Sequence, residues 1–146
     1  MQKLQPIFNS ECSPGIYRLG SRMRANSAME ALQAEGWQGF YIDGNEVENK
    51  KTFLTVCGAA LKFPGYFGGN WDAFEECIND MDWIAPTKGY VLLYDQVARF
   101  ARKDPDEWKM AYNILQESVV RWQDTKTPMY ILFRNTWWYV RGLKKL

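Results

Sequence analysis

Acidic side chains cluster between residues 70 and 80 of this 146-residue chain. Asp72 and Glu76 are four residues apart, a spacing that places both carboxylates on one face of a helix. Glu75 and Asp80 fall on the same polar side. Paired carboxylates can act as acid and base in glycoside hydrolysis, or they can pair with cationic groups that otherwise hold phosphate. The residue types therefore allow either a catalytic or a purely electrostatic function.

The rest of the composition argues against catalysis. The chain contains no histidine, which removes Ser-His-Asp and Cys-His nucleophilic pairs and most zinc sites. Neighbouring positions on one exposed helix face, such as those of Asp72 and Glu76, enclose no cleft for a sugar between them. We therefore expect no enzymatic activity, no cofactor and no bound metal.

The cysteines indicate the compartment. Cys12, Cys57 and Cys77 lack C-x-x-C spacing and follow no secretory leader or long apolar run. Cys57 and Cys77 fall on the apolar sides of predicted helices, where a free thiol usually behaves as a small hydrophobe. We therefore expect a cytoplasmic protein that does not associate with membranes.

Charge is strongly segregated along the chain although the formal net charge is only +1. Residues 63–87 contain five Asp or Glu residues and no Lys or Arg, whereas residues 125–146 contain five Lys or Arg residues and no acid. A solvated helix face usually mixes Lys with Glu, because like charges four residues apart are mildly destabilising. An acid-only face therefore indicates a surface that meets a positively charged partner.

A glycine-rich aromatic loop and an amphipathic helix must position these carboxylates. The loop, residues 63–69, contains three glycines around the rings of Tyr66 and Phe67. Asn70 can cap the following helix by accepting a hydrogen bond from a first-turn amide. Steps of three and four residues predict a helix that reaches Met81 and has one buried apolar face. The members of that face are Trp71, Phe74, Cys77, Ile78 and Met81.

The remaining pattern predicts an α/β fold. Residues 39–44, 89–95 and 129–133 are apolar runs without clean alternation, which is typical of strands covered on both faces. Helical segments between them predict parallel crossovers, and hence a small parallel β-sheet of three strands flanked by helices. The first 14 or so residues look irregular, and they are followed by a short strand and by a helix that runs to Glu35, with Gly36 as its left-handed stop.

The loop and the acidic helix resemble the barstar family, the intracellular inhibitors of the ribonuclease barnase. The family pattern is met by Pro64, Tyr66-Phe67-Gly68, Asn70-Trp71-Asp72-Ala73 and Glu76-Cys77. The resemblance implies a barstar-like fold and a bacterial immunity or antitoxin protein. Its partner would be a barnase-like ribonuclease or a related nuclease toxin, bound one to one.

The resemblance also implies roles for individual residues. Tyr66 would stack in the nuclease cleft, Gly68 and Asn70 would shape the docking loop, and Asp72 and Glu76 would occupy the sites of substrate phosphates. The acid-only face and the loop add Gly69, Glu75 and Asp80 to the predicted partner-binding surface. Three positions depart from the family, because Glu76 replaces the usual aspartate, Glu75 replaces a tryptophan and Gly69 replaces a glutamate.

Three segments follow from this interpretation. Residues 1–36 would be an N-terminal extension packed on the domain, residues 37–135 the barstar-like domain, and residues 136–146 an aromatic-basic C-terminal segment. In the last segment, Trp137, Trp138 and the basic residues after them suit an RNA-binding module, which is an alternative function. The same rings would otherwise cover the sheet, and the inhibitor interpretation does not expect direct nucleic-acid binding.

Overall fold

Parallel strands run through the centre of the computed structural model, which describes residues 2–65 and 69–146. In this described part, the strands are β1 (Ile16–Arg18), β2 (Gln38–Asp43), β3 (Tyr90–Asp95), β4 (Met129–Phe133) and β5 (Lys144–Lys145). They form one five-stranded sheet in the order β2-β3-β4-β1-β5. The α/β class with a parallel sheet is therefore confirmed, but the predicted number of three strands is wrong.

The two additional strands come from the ends of the chain. β1 pairs with β4 in parallel, and β5 pairs with the other side of β1. β1 thus covers the edge that β4 would otherwise expose, which removes a row of unpaired backbone groups from solvent. β5 consists of two exposed lysines and carries no apolar pattern, so the sequence contains no signal for it.

Six α-helices surround the sheet in the described part of the chain. They are α1 (Gln5–Phe8), α2 (Ala25–Ala34), α3 (Lys50–Ala60), α4 (Trp71–Ile78), α5 (Val97–Lys103) and α6 (Pro105–Gln123). The expectation that residues 1–14 are irregular is wrong for α1 and for the 3-10 turn (Gln2–Leu4) before it. Pro6 lies in the first turn of α1, where its missing N–H costs nothing, and Leu4 and Ile7 are buried.

The helices form two layers, one on each face of the sheet. Helices α3 to α6 pack on one face. There the ring of Phe53 contacts both Tyr94 of β3 and Phe100 of α5. Leu4, Ile7 and Leu32 pack on the other face with Val91 and Leu93 of the same strand. Successive side chains of β3 therefore enter different cores, and the strand is apolar throughout because it is covered on both sides.

A partly buried ion pair between Asp95 and Arg134 anchors the segment between β1 and α2 to the sheet. The Arg134 guanidinium donates to both oxygens of Asp95, and its Nη1 also donates to the carbonyls of Ser21 and Met23 at 3.0 and 2.6 Å. The hydroxyl of Tyr41 donates to Asp95 Oδ2 at 2.9 Å. These bonds fix the segment between β1 and α2 against the carboxyl ends of β3 and β4.

Candidate functional site

The entry to the acidic helix α4 is set by two adjacent residues. Gly69 has a φ of +68°, in the left-handed region that favours glycine. Among the described residues other than its chain neighbours, no atom lies within 4 Å of the position that its Cβ would occupy. Asn70 then adopts an extended conformation, and its side chain accepts a hydrogen bond from the backbone N–H of Ala73 at 2.8 Å. The predicted cap is confirmed, and it satisfies one of the free amides of the first turn.

The inner face of α4 is apolar and buried, as the spacing predicts. Phe74, Cys77 and Ile78 are at most 2% exposed, and the ring of Phe74 lies 5.2 Å from that of Phe53 in an edge-to-face arrangement. Burial raises the pKa of the Cys77 thiol, and the negative charges of Glu76 and Asp80 raise it further. Cys77 is therefore a protonated core residue rather than a nucleophile.

Hydrogen bonds from two tryptophans hold α4 against α6 at both ends. The indole N–H of Trp71, the first residue of α4, donates to Oε2 of Glu107 at 2.7 Å. The indole N–H of Trp122, near the end of α6, donates to the carbonyl of Ile78 at 3.0 Å, where α4 ends. Because the backbone is fixed at both ends, the outer side chains of α4 project from a rigid support.

The outer face of α4 presents the predicted carboxylates to solvent. Asp72, Glu75, Glu76 and Asp80 are all exposed, and they line a shallow depression of about 510 Å³. Asn79 lines it as well, and its buried Oδ1 finds no donor among the described residues. The depression therefore offers several oxygen acceptors and suits a ligand that is rich in N–H donors.

The predicted helix is too long at its carboxyl end. α4 ends at Ile78, and Asp80 lies in the turn that follows rather than on the helix. Met81 adopts a left-handed conformation with a φ of +57°, which reverses the chain while its side chain stays buried. Asp80 nevertheless lines the same depression as the carboxylates of the helix.

Arg121 of α6 also lines the acidic depression. The prediction of an acid-only face holds for α4 itself, but this cation reaches the same surface from a distant part of the sequence. Among the described residues, no ion pair within 4.0 Å joins Arg121 to the four carboxylates. Arg121 offsets one of four negative charges, so the depression remains net negative. Its position depends on how α6 packs against α4, and the sequence carries no local signal for that packing.

The structure locates only some of the predicted partner-binding residues. Tyr66 and Gly68 lie outside the described residues. Within residues 2–65 and 69–146, no group of three or more His, Cys, Asp or Glu side chains is placed to hold a metal ion. In the same part of the chain, every helix is too short or too polar to cross a membrane.

Comparison with protein families matches residues 37–134 to the Barstar family, which is described as Barstar (barnase inhibitor). The match covers about two thirds of the chain, from the strand β2 to the end of β4. It contains the whole acidic depression, whereas β1, α2 and β5 lie outside it. No curated protein matches the chain. The family match confirms the resemblance that the motif around Asn70 and Asp72 indicates.

Proposed function

Because the chain belongs to the Barstar (barnase inhibitor) family, we propose that it inhibits a ribonuclease by placing the acidic face of α4 in the enzyme's cationic cleft. The observation that carries the proposal is the set of exposed carboxylates on a helix that is fixed at both ends. The partner is a barnase-like ribonuclease or a related nuclease toxin, bound one to one. In a bacterial cytoplasm, this activity makes the protein an immunity protein or antitoxin.

The mechanism is electrostatic imitation of the substrate. A ribonuclease collects Arg and Lys side chains to hold RNA phosphates, and carboxylates on a rigid helix offer those groups matched acceptors without a scissile bond. Asp72 and Glu76, one turn apart, take the positions of two phosphates. Like charges at this spacing cost a few tenths of a kcal/mol in the free helix, and a cationic partner relieves that repulsion.

The remaining predicted contacts surround these two carboxylates. Glu75 and Asp80 widen the negative surface, and Gly69 with Asn70 brings the loop close to the partner's backbone. Tyr66 and Gly68 belong to the proposal through the family motif alone. Glu76 extends its carboxylate one methylene further than the usual aspartate, so the enzyme that fits it has a correspondingly deeper or displaced cationic site.

An inhibition assay with a purified barnase-like ribonuclease tests this proposal. We expect RNA cleavage to be inhibited at a one-to-one ratio, with an association rate that falls as salt concentration rises. Asp72→Asn and Glu76→Gln should each weaken inhibition by about 2 kcal/mol or more, as the loss of buried interfacial charges does. Part of the data behind this value comes from the barnase–barstar complex, so it is a precedent from the same family and not an independent estimate.

Glu30→Gln provides the matched control. Glu30 is an exposed acid on α2, and α2 packs on the opposite face of the sheet from α4. This variant changes the net charge by the same amount and should inhibit like the unchanged protein. Undiminished inhibition by both the Asp72 and the Glu76 variants would show that the acidic face is not the contact surface.

A further inference from the structure

Two tryptophans in the turn that follows β4 face solvent. Trp137 and Trp138 are 67% and 61% exposed, which makes them the most exposed large rings in the described part of the chain. The neighbouring side chains of Tyr139, Val140 and Leu143 pack against the core. The segment thus divides into a part that covers the core and a pair of rings that remain mostly exposed to solvent.

The backbone at the first of these two rings has an unusual conformation. Trp137 has a φ of +53°, in the left-handed region that bulky residues rarely adopt. Trp138 stacks on Tyr139 with ring centroids 5.4 Å apart, and its carbonyl accepts a hydrogen bond from Arg141 Nε at 3.3 Å. A strained residue whose large side chain stays exposed is consistent with a binding role.

Arginines flank the exposed rings on both sides. A cleft of about 410 Å³ on one side is lined by the two rings together with Arg99 and Arg102. A second cleft of about 400 Å³ is lined by the same rings with Arg18 and Arg141. Among the described residues, no Asp or Glu lines either cleft.

Three of these four arginines form no ion pair with the described residues. Arg99 pairs with Glu48 at 2.9 Å, whereas no ion pair within the described residues involves the other three. The surface is therefore cationic. We call it the aromatic-basic platform; its members are Arg18, Arg99, Arg102, Trp137, Trp138 and Arg141.

We propose that the aromatic-basic platform binds single-stranded nucleic acid. Bases stack on Trp137 and Trp138, and the guanidinium groups on both sides pair with the phosphates that link those bases. A double helix does not fit this arrangement, because its base faces are already stacked on one another. The platform shares no residue with the acidic depression, so the binding of RNA here does not depend on ribonuclease inhibition.

Charge distinguishes this ligand from other occupants of an exposed aromatic surface. A second copy of the chain, or a hydrophobic protein partner, would leave three unpaired guanidinium groups in the interface, which is unfavourable. A strand of phosphates supplies acceptors for all of them. Two exposed rings with guanidinium groups in the clefts on both sides match a polymer that carries both flat bases and negative charges.

Fluorescence anisotropy with a labelled oligouridylate of about 12 nucleotides tests the proposal on the full chain. We expect binding that weakens steeply with salt and quenches tryptophan fluorescence, with little binding to a duplex of equal length. The double variant W137A/W138A should bind at least about tenfold more weakly, because each lost stacking partner weakens binding. The variant W137F/W138F keeps two rings and should retain most of the affinity.

Charge variants and surface controls complete the test. Arg102→Gln and Arg141→Gln should each lower the slope of log affinity against log salt by about 0.7, the contribution of one phosphate contact on a single strand. Lys109→Gln and Met110→Ala, both exposed on α6, should leave binding unchanged.

Three results of the nucleic-acid binding assays would overturn the proposal. They are the absence of RNA binding at low salt, equal binding of duplex and single strand, and unchanged binding by W137A/W138A. Self-association or vesicle binding that is lost in W137A/W138A, without any binding of the oligouridylate, would also overturn it and assign the platform to another ligand.

Discussion

Replacing Trp71 with phenylalanine tests whether α4 is a rigid support. The substitution keeps an aromatic ring near Phe53 and Phe74 but removes the N–H that donates to Glu107 at 2.7 Å. A hydrogen bond to a charged acceptor contributes about 1.5–3 kcal/mol. Both side chains are partly exposed, so water replaces some of the lost interaction and the lower part of that range applies. We expect the free energy of unfolding to fall by about 1.5–2 kcal/mol.

A double-mutant cycle isolates the hydrogen bond from the smaller ring and from the helix dipole. Trp71→Phe, Glu107→Ala and the double variant are compared by urea unfolding, and we expect a coupling energy of about 1–2 kcal/mol. Glu107→Gln retains a neutral acceptor and should lose less stability than Glu107→Ala. A coupling energy below about 0.5 kcal/mol lies within ordinary additivity error, and it would refute the inference that this bond fixes the start of α4.

Three further predictions concern the helix entry and the pH dependence of stability. Gly69→Ala should destabilise the fold by about 1–2 kcal/mol in urea unfolding, because alanine is strained at positive φ, whereas Gly65→Ala should cost much less; equal effects would contradict this explanation. Asn70→Ala should cost about 1 kcal/mol by removing the cap, and no loss would show that the bond to the Ala73 amide is unimportant. Burial, followed by the hydrogen bond to Asp95, raises the pKa of Tyr41 from its ordinary value near 10 to about 12. As pH rises, Tyr41 therefore loses its proton in the unfolded state at a lower pH than in the folded state. The contribution of Tyr41 to the free energy of unfolding is complete below pH 10 and is lost as pH rises through about 12. Urea unfolding at a series of pH values should show that fall, and an identical fall in Tyr41→Phe would contradict the assignment.

Local patterns are sufficient to predict the central part of the fold. The apolar runs that form β3 and β4 are recognisable because these strands are buried on both faces, and the run in β2 supplies the buried Phe40 and Ile42. Asn70 and the apolar spacing after it predict both the cap and the buried side of α4, because each depends on residues within one or two turns. The motif in this same segment is enough to identify the family from the sequence alone.

Features that depend on tertiary contacts cannot be predicted in the same way. β5 is a strand only because it lies beside β1, since its two lysines have no strand pattern of their own. Arg121 reaches the acidic depression through the packing of α6. Trp137 and Trp138 are exposed in a turn with a left-handed residue, which the sequence does not predict. From the sequence alone, these two rings could equally well cover the sheet.

The structure of a complex between this protein and a ribonuclease that it inhibits tests the central claim most directly. We predict that the carboxylates of Asp72 and Glu76 lie within hydrogen-bonding distance of Arg or Lys side chains in the enzyme's phosphate-binding site. A complex in which these carboxylates face bulk water, while another surface of the protein blocks the enzyme, would contradict the account.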